Sequence, residues 1–306
     1  LQVKLLRYLE DKANESGIQV IVTTHSPTIA ASTGLDRIKV LTRLTAADNP
    51  VVTSLAQCGL NVGGKFFLER WLDVTKSTLL FAKAVILVEG IAEALVVPEL
   101  ARIVLAGVSF GKGEDEGPRT LKDYGVSIIS MGGIYFTHFM QLFKGYTATK
   151  DNPTLCEKIP IRCAGITDCD PEAETLPTAF APASCRNPQY FLVEELAYHD
   201  NCRLFCNLKT FEYDLALQGN NLQLMARVYM RLAPNSRWAS AIAKVDWSAS
   251  SDEEKAPKAR SLLDRVSDNK GEFAQLLALE LSNNTAASFQ VPECISLAVK
   301  WAVGID

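Results

Sequence analysis

Residues 82–100 read AKAVILVEGIAEALVVPEL. Ala84 to Val88 is an apolar run rich in β-branched residues, the pattern of a strand buried on both faces of a parallel sheet. Glu89-Gly90 ends the run. A helical pattern follows, with Ala92, Leu95, Val96 and Leu100 on one face. Glu93 stands four residues after Glu89, about one helical turn on. Two carboxylates are thereby expected at the carboxyl end of a buried strand, where open α/β sheets place their ligands. A plainer reading also accounts for them, since the positive end of a helix dipole favours acidic residues.

Two later segments extend the pattern. Residues 126–133 (VSIISMGG) read as a strand closed by a Gly-Gly turn. Residues 162–170 (RCAGITDCD) read as a strand closed by Asp168-x-Asp170. Strand-Glu-Gly-helix, strand-Gly-Gly and strand-Asp-x-Asp, in that order, resemble a Toprim domain. This is the Mg²⁺-binding catalytic module of topoisomerases, primases and the overcoming-lysogenisation-defect (OLD) nucleases. The segment 210–217 (TFEYDLAL) resembles the signature that closes this domain in OLD proteins and adds Glu212. Asp214 lies two residues on, off the same helical face, and Glu212 is favoured.

The amino-terminal part carries a second resemblance. A helical face (Leu1, Leu5, Tyr8, Leu9) is followed by Gly17, a strand expected over 18–23, and Thr24-His25-Ser26-Pro27. A strand ending in T-H-S-P resembles the switch-histidine loop of ABC-type ATPase heads, in which His25 would face ATP. The bland alternative is a polar turn with Ser26 or Thr28 capping a helix. Residues 59–65 (GLNVGGK) fit a phosphate-loop spacing but are a decoy. Phe66 stands where Ser or Thr is needed, and no buried strand leads into Gly59. Gly63-Gly64 is read as a loop. Residues 37–55 offer short strands about an Asn49-Pro50 turn, and 66–80 read as helix. Residues 111–119 (GKGEDEGPR) read as a polar connecting loop, and 135–143 (YFTHFMQLF) as a helix in which His138 is packed. Pro171, Pro177, Pro182 and Pro188 exclude a long helix after Asp170.

From Gln218 on, five helical patterns follow, expected over 222–232, 235–245, 255–266, 272–281 and 291–303. The expected fold is α/β. A Toprim domain with a central, mostly parallel sheet flanked by helices occupies 81–216. A helical domain covers 217–306, and 1–80 is the tail of an ABC-type ATPase domain with a linker. Residues 269–274 (NKGEFA) resemble the Lys-containing helix start of OLD carboxyl-terminal domains, which makes Lys270 a candidate to stabilise phosphate charge. Lys255 and Lys258 compete with it.

Composition bounds the function. The 306 residues are 48% hydrophobic and 22% charged, ordinary for a globular protein. A net charge of −4 does not announce a nucleic-acid binder but leaves room for a local basic strip. No apolar run reaches the ~18 residues of a membrane span, and no signal peptide is evident, so a cytoplasmic protein without a membrane partner is expected. The chain opens at Leu1 inside a helical pattern, read as the start of a carboxyl-terminal fragment. Eight cysteines lack C-x-x-C spacing. Reduced, mostly buried thiols are expected, with His199, Cys202 and Cys206 a weak zinc alternative.

Glu89, Glu93, Asp168, Asp170 and Glu212 supply carboxylates from separate regions, more than one cation needs. The resemblance therefore implies two divalent cations, Mg²⁺, Mn²⁺ or Ca²⁺, and two-metal DNA cleavage. Glu89, Asp168 and Asp170 would hold one metal, and Glu93 and Glu212 the second. Ser130 and Thr167 could add oxygens, and Lys270 would offset transition-state charge, with Glu89 and Lys270 as catalytic residues. The resemblance further implies DNA as partner, ATP only in the full-length protein, homo-oligomerisation through the missing ATPase, and a role in phage defence. The competing reading is a non-catalytic Toprim module for dimerisation or DNA docking. The lack of a topoisomerase's tyrosine domain or a primase's zinc domain favours the nuclease branch.

Overall fold

The computed structural model describes residues 1–106, 120–147, 153–283 and 288–305. The connecting loop expected at 111–119 lies outside the described residues. Helix α1 (Gln2–Ser16) closes on Gly17, whose φ of 62° suits a residue without a Cβ. The strand expected over 18–23 does not form. Ile18, Val20, Ile21 and Val22 are exposed. No strand among the described residues pairs with them, so an extended ladder has nothing to bond to. Helix α2 (Pro27–Ala31) follows, capped by Ser26, whose Oγ accepts from the Ile29 amide at 3.4 Å.

The short strands expected over 37–55 are β1 (Lys39–Thr42) and β2 (Val51–Ser54), which pair antiparallel; the turn between them closes at Thr45–Asp48, just before Asn49-Pro50. Helix α3 (Val62–Trp71) starts earlier than expected and contains Gly63-Gly64, which are not a loop. Asn61 is the reason: its Oδ1 accepts from the Gly64 amide at 2.7 Å and caps the helix. The helix also stops earlier. Asp73 Oδ1 takes the amides of Thr75 and Lys76, both at 2.9 Å, and the chain continues as a short 3₁₀ segment, Lys76–Phe81.

The central unit then runs β3 (Ala84–Val88), α4 (Ile91–Ala106), β4 (Val126–Ser130) and α5 (Phe136–Lys144). A short pair, β5 (Tyr146–Thr147) and β6 (Thr154–Leu155), precedes β7 (Arg162–Thr167), α6 (Phe191–Glu195) and β8 (Cys202–Cys206). Among the described residues six α-helices follow: α7 (Phe211–Leu217), α8 (Asn221–Leu232), α9 (Arg237–Ile242), α10 (Asp252–Val266), α11 (Lys270–Ser282) and α12 (Glu293–Val303).

Strands β4, β3, β7 and β8 lie in that order in one parallel sheet. All five residues of β3 are buried, as its unbroken apolar run requires. Alternation along β3 divides the core. Ala84, Ile86 and Val88 join a cluster with α4, α7, α8, α10, α11 and α12. Val85 and Leu87 join a cluster with α5 and apolar residues of the first 80 positions. Val88 is opposite Ser130 on one side and Ile166 on the other, and Thr167 is opposite Cys206. The residues after Val88, Thr167 and Cys206 therefore emerge together at one end of the sheet. None of the helices among the described residues is long and apolar enough to cross a membrane.

Gly165, inside β7, lets α5 approach the sheet. A Cβ there would lie 2.6 Å from Leu204 Cδ1, 2.7 Å from Met140 Cε and 2.9 Å from Phe136 Cε1, all core side chains. Gly165→Ala is expected to lower stability by about 1–3 kcal/mol through overpacking, read as a reduced midpoint in urea unfolding. An unchanged midpoint would show that α5 yields freely.

Candidate metal centre

Glu89 follows β3 directly. Its Oε1 accepts from Thr167 Oγ1 at 2.6 Å and from the Asp168 amide at 3.2 Å, across the β3–β7 boundary. Thr167 is itself held by Asn187, whose Nδ2 donates to Thr167 Oγ1 at 2.9 Å and to the Asp168 carbonyl at 2.7 Å. The Thr167 hydroxyl thus orients Glu89. Asp168 is only 8% exposed, and its Oδ1 accepts from Asn207 Nδ2 at 2.9 Å. Glu93 sits in the first turn of α4, with Oε2 accepting from the Gly90 amide at 3.1 Å. Asp170 has a left-handed backbone, φ 47°, and its amide donates to the Lys209 carbonyl at 3.2 Å.

The other members come from the helices that cover this face. Glu212, on α7, is buried, and Lys270 Nζ donates to its Oε2 at 3.2 Å. Helix α11 reaches this position by lying against α4, with Gly271 beside Ile91. Lys255 instead pairs with Asp252 at 2.8 Å, so Lys270 is the lysine brought to the carboxylates.

Electrostatics bind the set together. Burial, together with the Asp170 charge, pushes the Glu89 carboxyl above its ordinary range, against the Thr167 and Asp168 bonds. Burial and then Glu89 push Asp168 well up, opposed by Asn207. Glu93 rises through burial and then the charges of Glu212 and Glu89, and Asp170 through burial. Burial works against the Lys270 charge, but Glu212, Asp168 and Glu93 outweigh it and hold its pKa high.

A hard divalent cation fits these residues. The donors are oxygens, their mutual repulsion calls for more positive charge than Lys270 supplies, and the buried Asn207 Oδ1 has no hydrogen-bond partner among the described residues. The carboxylates stand apart, as like charges do. Among the described residues no three of them bring oxygens within 4.8 Å of one another.

His25 is not part of this cluster. It is exposed and shares a shallow depression with Phe81, Gly125 and Val126, at the amino ends of β3 and β4. The zinc alternative does not assemble. His199 Nε2 lies 2.8 Å from the Lys144 carbonyl, and Cys202 faces the Met140 carbonyl. The expectation of reduced thiols is overturned at one pair, since Cys169 and Cys185 form a disulfide. The chain after Asp170 folds back and brings their Cα atoms within 4.6 Å, inside disulfide reach.

Sequence reading missed the supporting groups. Asn187 and Asn207 have no periodicity to mark them, although Asn207 follows a strand beside the one that ends at Asp168. Asp214 is a buried anchor: its oxygens accept from the Leu208 and Lys209 amides at 2.6 and 3.1 Å. Burial pushes its carboxyl up to about 7, against those two bonds.

Residues 80–170 match the family model described as overcoming lysogenization defect protein-like, TOPRIM domain. The chain carries an OLD-like Toprim domain. It is also similar to the carboxyl-terminal region of the Burkholderia pseudomallei OLD protein, at 23% identity over 73% of this chain and 98% of that one, with a TM-score of 0.49. A similar region of the Xanthomonas campestris pv. campestris OLD protein shares 23% identity over 74% of this chain and 94% of that one, with a TM-score of 0.46. No curated protein matches the chain. Within the sheet, Glu89 and Asp168 follow the adjacent parallel strands β3 and β7.

The raised carboxyls carry a pH signature. A folded carboxyl pKa above the unfolded one, about 4, means the folded state holds extra protons between the two values, so stability falls as pH rises through that window. In EDTA, the melting temperature is expected to fall from pH 6 to pH 8, a range that includes Asp214 near 7. Millimolar Mg²⁺ is expected to restore it more at pH 8 than at pH 6. A profile that rises with pH in EDTA, measured by differential scanning fluorimetry, would contradict this account.

Proposed function

We propose that this chain is the nuclease part of an OLD-type ATPase–nuclease, a metal-dependent endonuclease that nicks and cleaves DNA. The observation that carries the reading is the convergence of Glu89, Asp168 and Glu212 with Lys270 at the carboxyl end of the parallel sheet. Several buried acids with raised pKa values gathered near Lys270 are the pattern of a functional site. In this reading 1–80 is the ATPase tail and linker, 81–216 the catalytic domain and 217–306 the helical domain. His25 would meet ATP only with the rest of an ATPase head present. A DNA substrate implies a cytoplasmic protein.

Glu89, Asp168 and Asp170 would hold one divalent cation, and Glu93 and Glu212 the other. Bound cations of this kind lower the pKa of an attacking water and neutralise charge on the scissile phosphate and leaving oxygen. The protein's own contribution is position and charge. Thr167 and the Asp168 amide fix one oxygen of Glu89, and among the described residues the other accepts no hydrogen bond and would be available to a cation. Asn207 fixes Asp168 without adding charge. Lys270, half-exposed and paired with Glu212, can turn its ammonium toward a phosphate oxygen and stabilise the extra negative charge of the transition state.

The test is a supercoiled-plasmid assay with Mg²⁺, Mn²⁺ or EDTA, alongside DNA binding by fluorescence anisotropy in Ca²⁺. Wild type is expected to nick and linearise with Mg²⁺ or Mn²⁺ and not in EDTA. Glu89→Gln and Lys270→Ala are each expected to slow cleavage by at least ~10²-fold while leaving DNA affinity within a few-fold. A folded wild type that binds DNA without cutting under any metal would replace this reading with that of a docking module.

A further inference from the structure

We propose that the Cys169–Cys185 disulfide is a redox clasp on the metal centre: closed, it holds the Pro-rich excursion so that Asn187 props Glu89 in place, and opened by a dithiol, it loosens the centre's grip on a divalent cation. The inference rests on the reading of the carboxylates as a cation site.

Cys169 lies between Asp168 and Asp170, so one end of the clasp is built into the site itself. Cys185 lies at the far end of the excursion, just after the short 3₁₀ turn Pro182–Ser184. Next to it, Arg186 and Asn187 donate their amides to the Cys169 carbonyl at 2.9 and 3.3 Å. The disulfide thus fastens the two residues whose neighbours carry the support. Asn187 reaches back to Thr167 Oγ1 and the Asp168 carbonyl, and Thr167 passes the constraint to Glu89 Oε1. The start of the excursion has its own anchor. Lys209 Nζ donates to the carbonyls of Glu172, Ala173 and Thr175 at 3.3, 3.0 and 2.7 Å, and Tyr213 Oη donates to Pro177 at 3.1 Å. The return arm, 178–188, is held by the clasp together with the Arg186 and Asn187 amides on Cys169, the Arg186–Glu172 ion pair and the Thr178–Glu253 bond.

The chemistry is accessible. Cys169 is buried, whereas Cys185 is partly exposed, beside the exposed Arg186. A dithiol's thiolate attacks Cys185 Sγ, and the S–S bond breaks. Cys169 leaves as a thiolate that takes up a proton. The reagent's second thiol then attacks the mixed disulfide, closes its own ring and releases the Cys185 thiol. Overall the dithiol is oxidised, and the protein gains two electrons and two protons. In a reducing cytoplasm such a bond is transient, as befits a sensor rather than a staple. Cys206 Sγ lies within 4.8 Å of both bonded sulfurs, so the linkage itself has to be mapped.

The experiment compares oxidised protein with protein treated with dithiothreitol and desalted anaerobically. Non-reducing peptide mapping fixes the linkage, and Mn²⁺ affinity is read by electron paramagnetic resonance. The map is expected to show Cys169 joined to Cys185. Reduction is expected to weaken Mn²⁺ binding about tenfold, the scale of losing a group that orients a metal ligand. It is also expected to speed chymotryptic cleavage at Phe180. Cys185→Ser is expected to match the reduced protein whether or not dithiothreitol is used. Equal Mn²⁺ affinity in both states, with the linkage shown to open, would overturn the clasp and leave the metal-centre reading standing. A Cys206 linkage in the oxidised protein would overturn it as well. Failure of both states to bind Mn²⁺ would remove the metal-centre reading and the clasp with it.

Discussion

The bond between Thr167 and Glu89 is the constraint on which the rest of the site depends. It exists because β3 and β7 are neighbours in parallel, with Val88 opposite Ile166, so that Glu89 and Thr167 leave the sheet side by side. That register needs β3 to be apolar on both faces. A strand buried on both faces in turn needs a layer of helices on each side. One layer is α5 with residues of the amino-terminal part, and the other is α4 with the helices after residue 211. The second layer brings Glu212 and Lys270 to the same end of the sheet.

Holding several acids in one buried place costs stability, and the protein answers with two kinds of support. Asp214 shows the structural kind. Two backbone amides bond its oxygens, and it serves to shape the turn between β8 and α7. Asp168 shows the other kind. Its support is an amide side chain, Asn207, 1% exposed, which fixes the carboxylate without contributing charge. Asn187 does the same one step back, at Thr167. Lysines or arginines in those places would neutralise the acids and compete with a cation. Neutral donors set the geometry and leave the negative charge of the acids in place.

This division explains what could be read in the sequence. The backbone logic was legible: an apolar β-branched run ending in Glu89-Gly90, and another ending in Asp168-Cys169-Asp170, each state a strand and what stands at its end. The carboxyl-terminal helices were legible from their 3.6-residue spacing, within a few residues at each end. The supports were not legible. Asn187 lies in a Pro-rich stretch without periodicity, and its role arises only when the chain folds back on Cys169. The disulfide is hidden for the same reason, since 16 positions separate its cysteines and no spacing motif marks them. Residues 18–23 show the opposite error. Their β-branched pattern promises a strand, but a strand is a property of a pair, and no partner for it lies among the described residues.

Lys270 joins these strands of argument. It lies 58 positions from Glu212 and still farther from Glu89, so no local pattern ties it to them. What places it is packing: α11 lies along α4, with Gly271 beside Ile91 in the helix that opens directly after Glu89-Gly90. The first turn of α4 therefore has two functions at once. It carries Glu93 inward, and it offers the surface beside which the lysine paired with Glu212 is seated. The site's charge balance is in this sense a consequence of helix packing, set by the same face that buries the sheet.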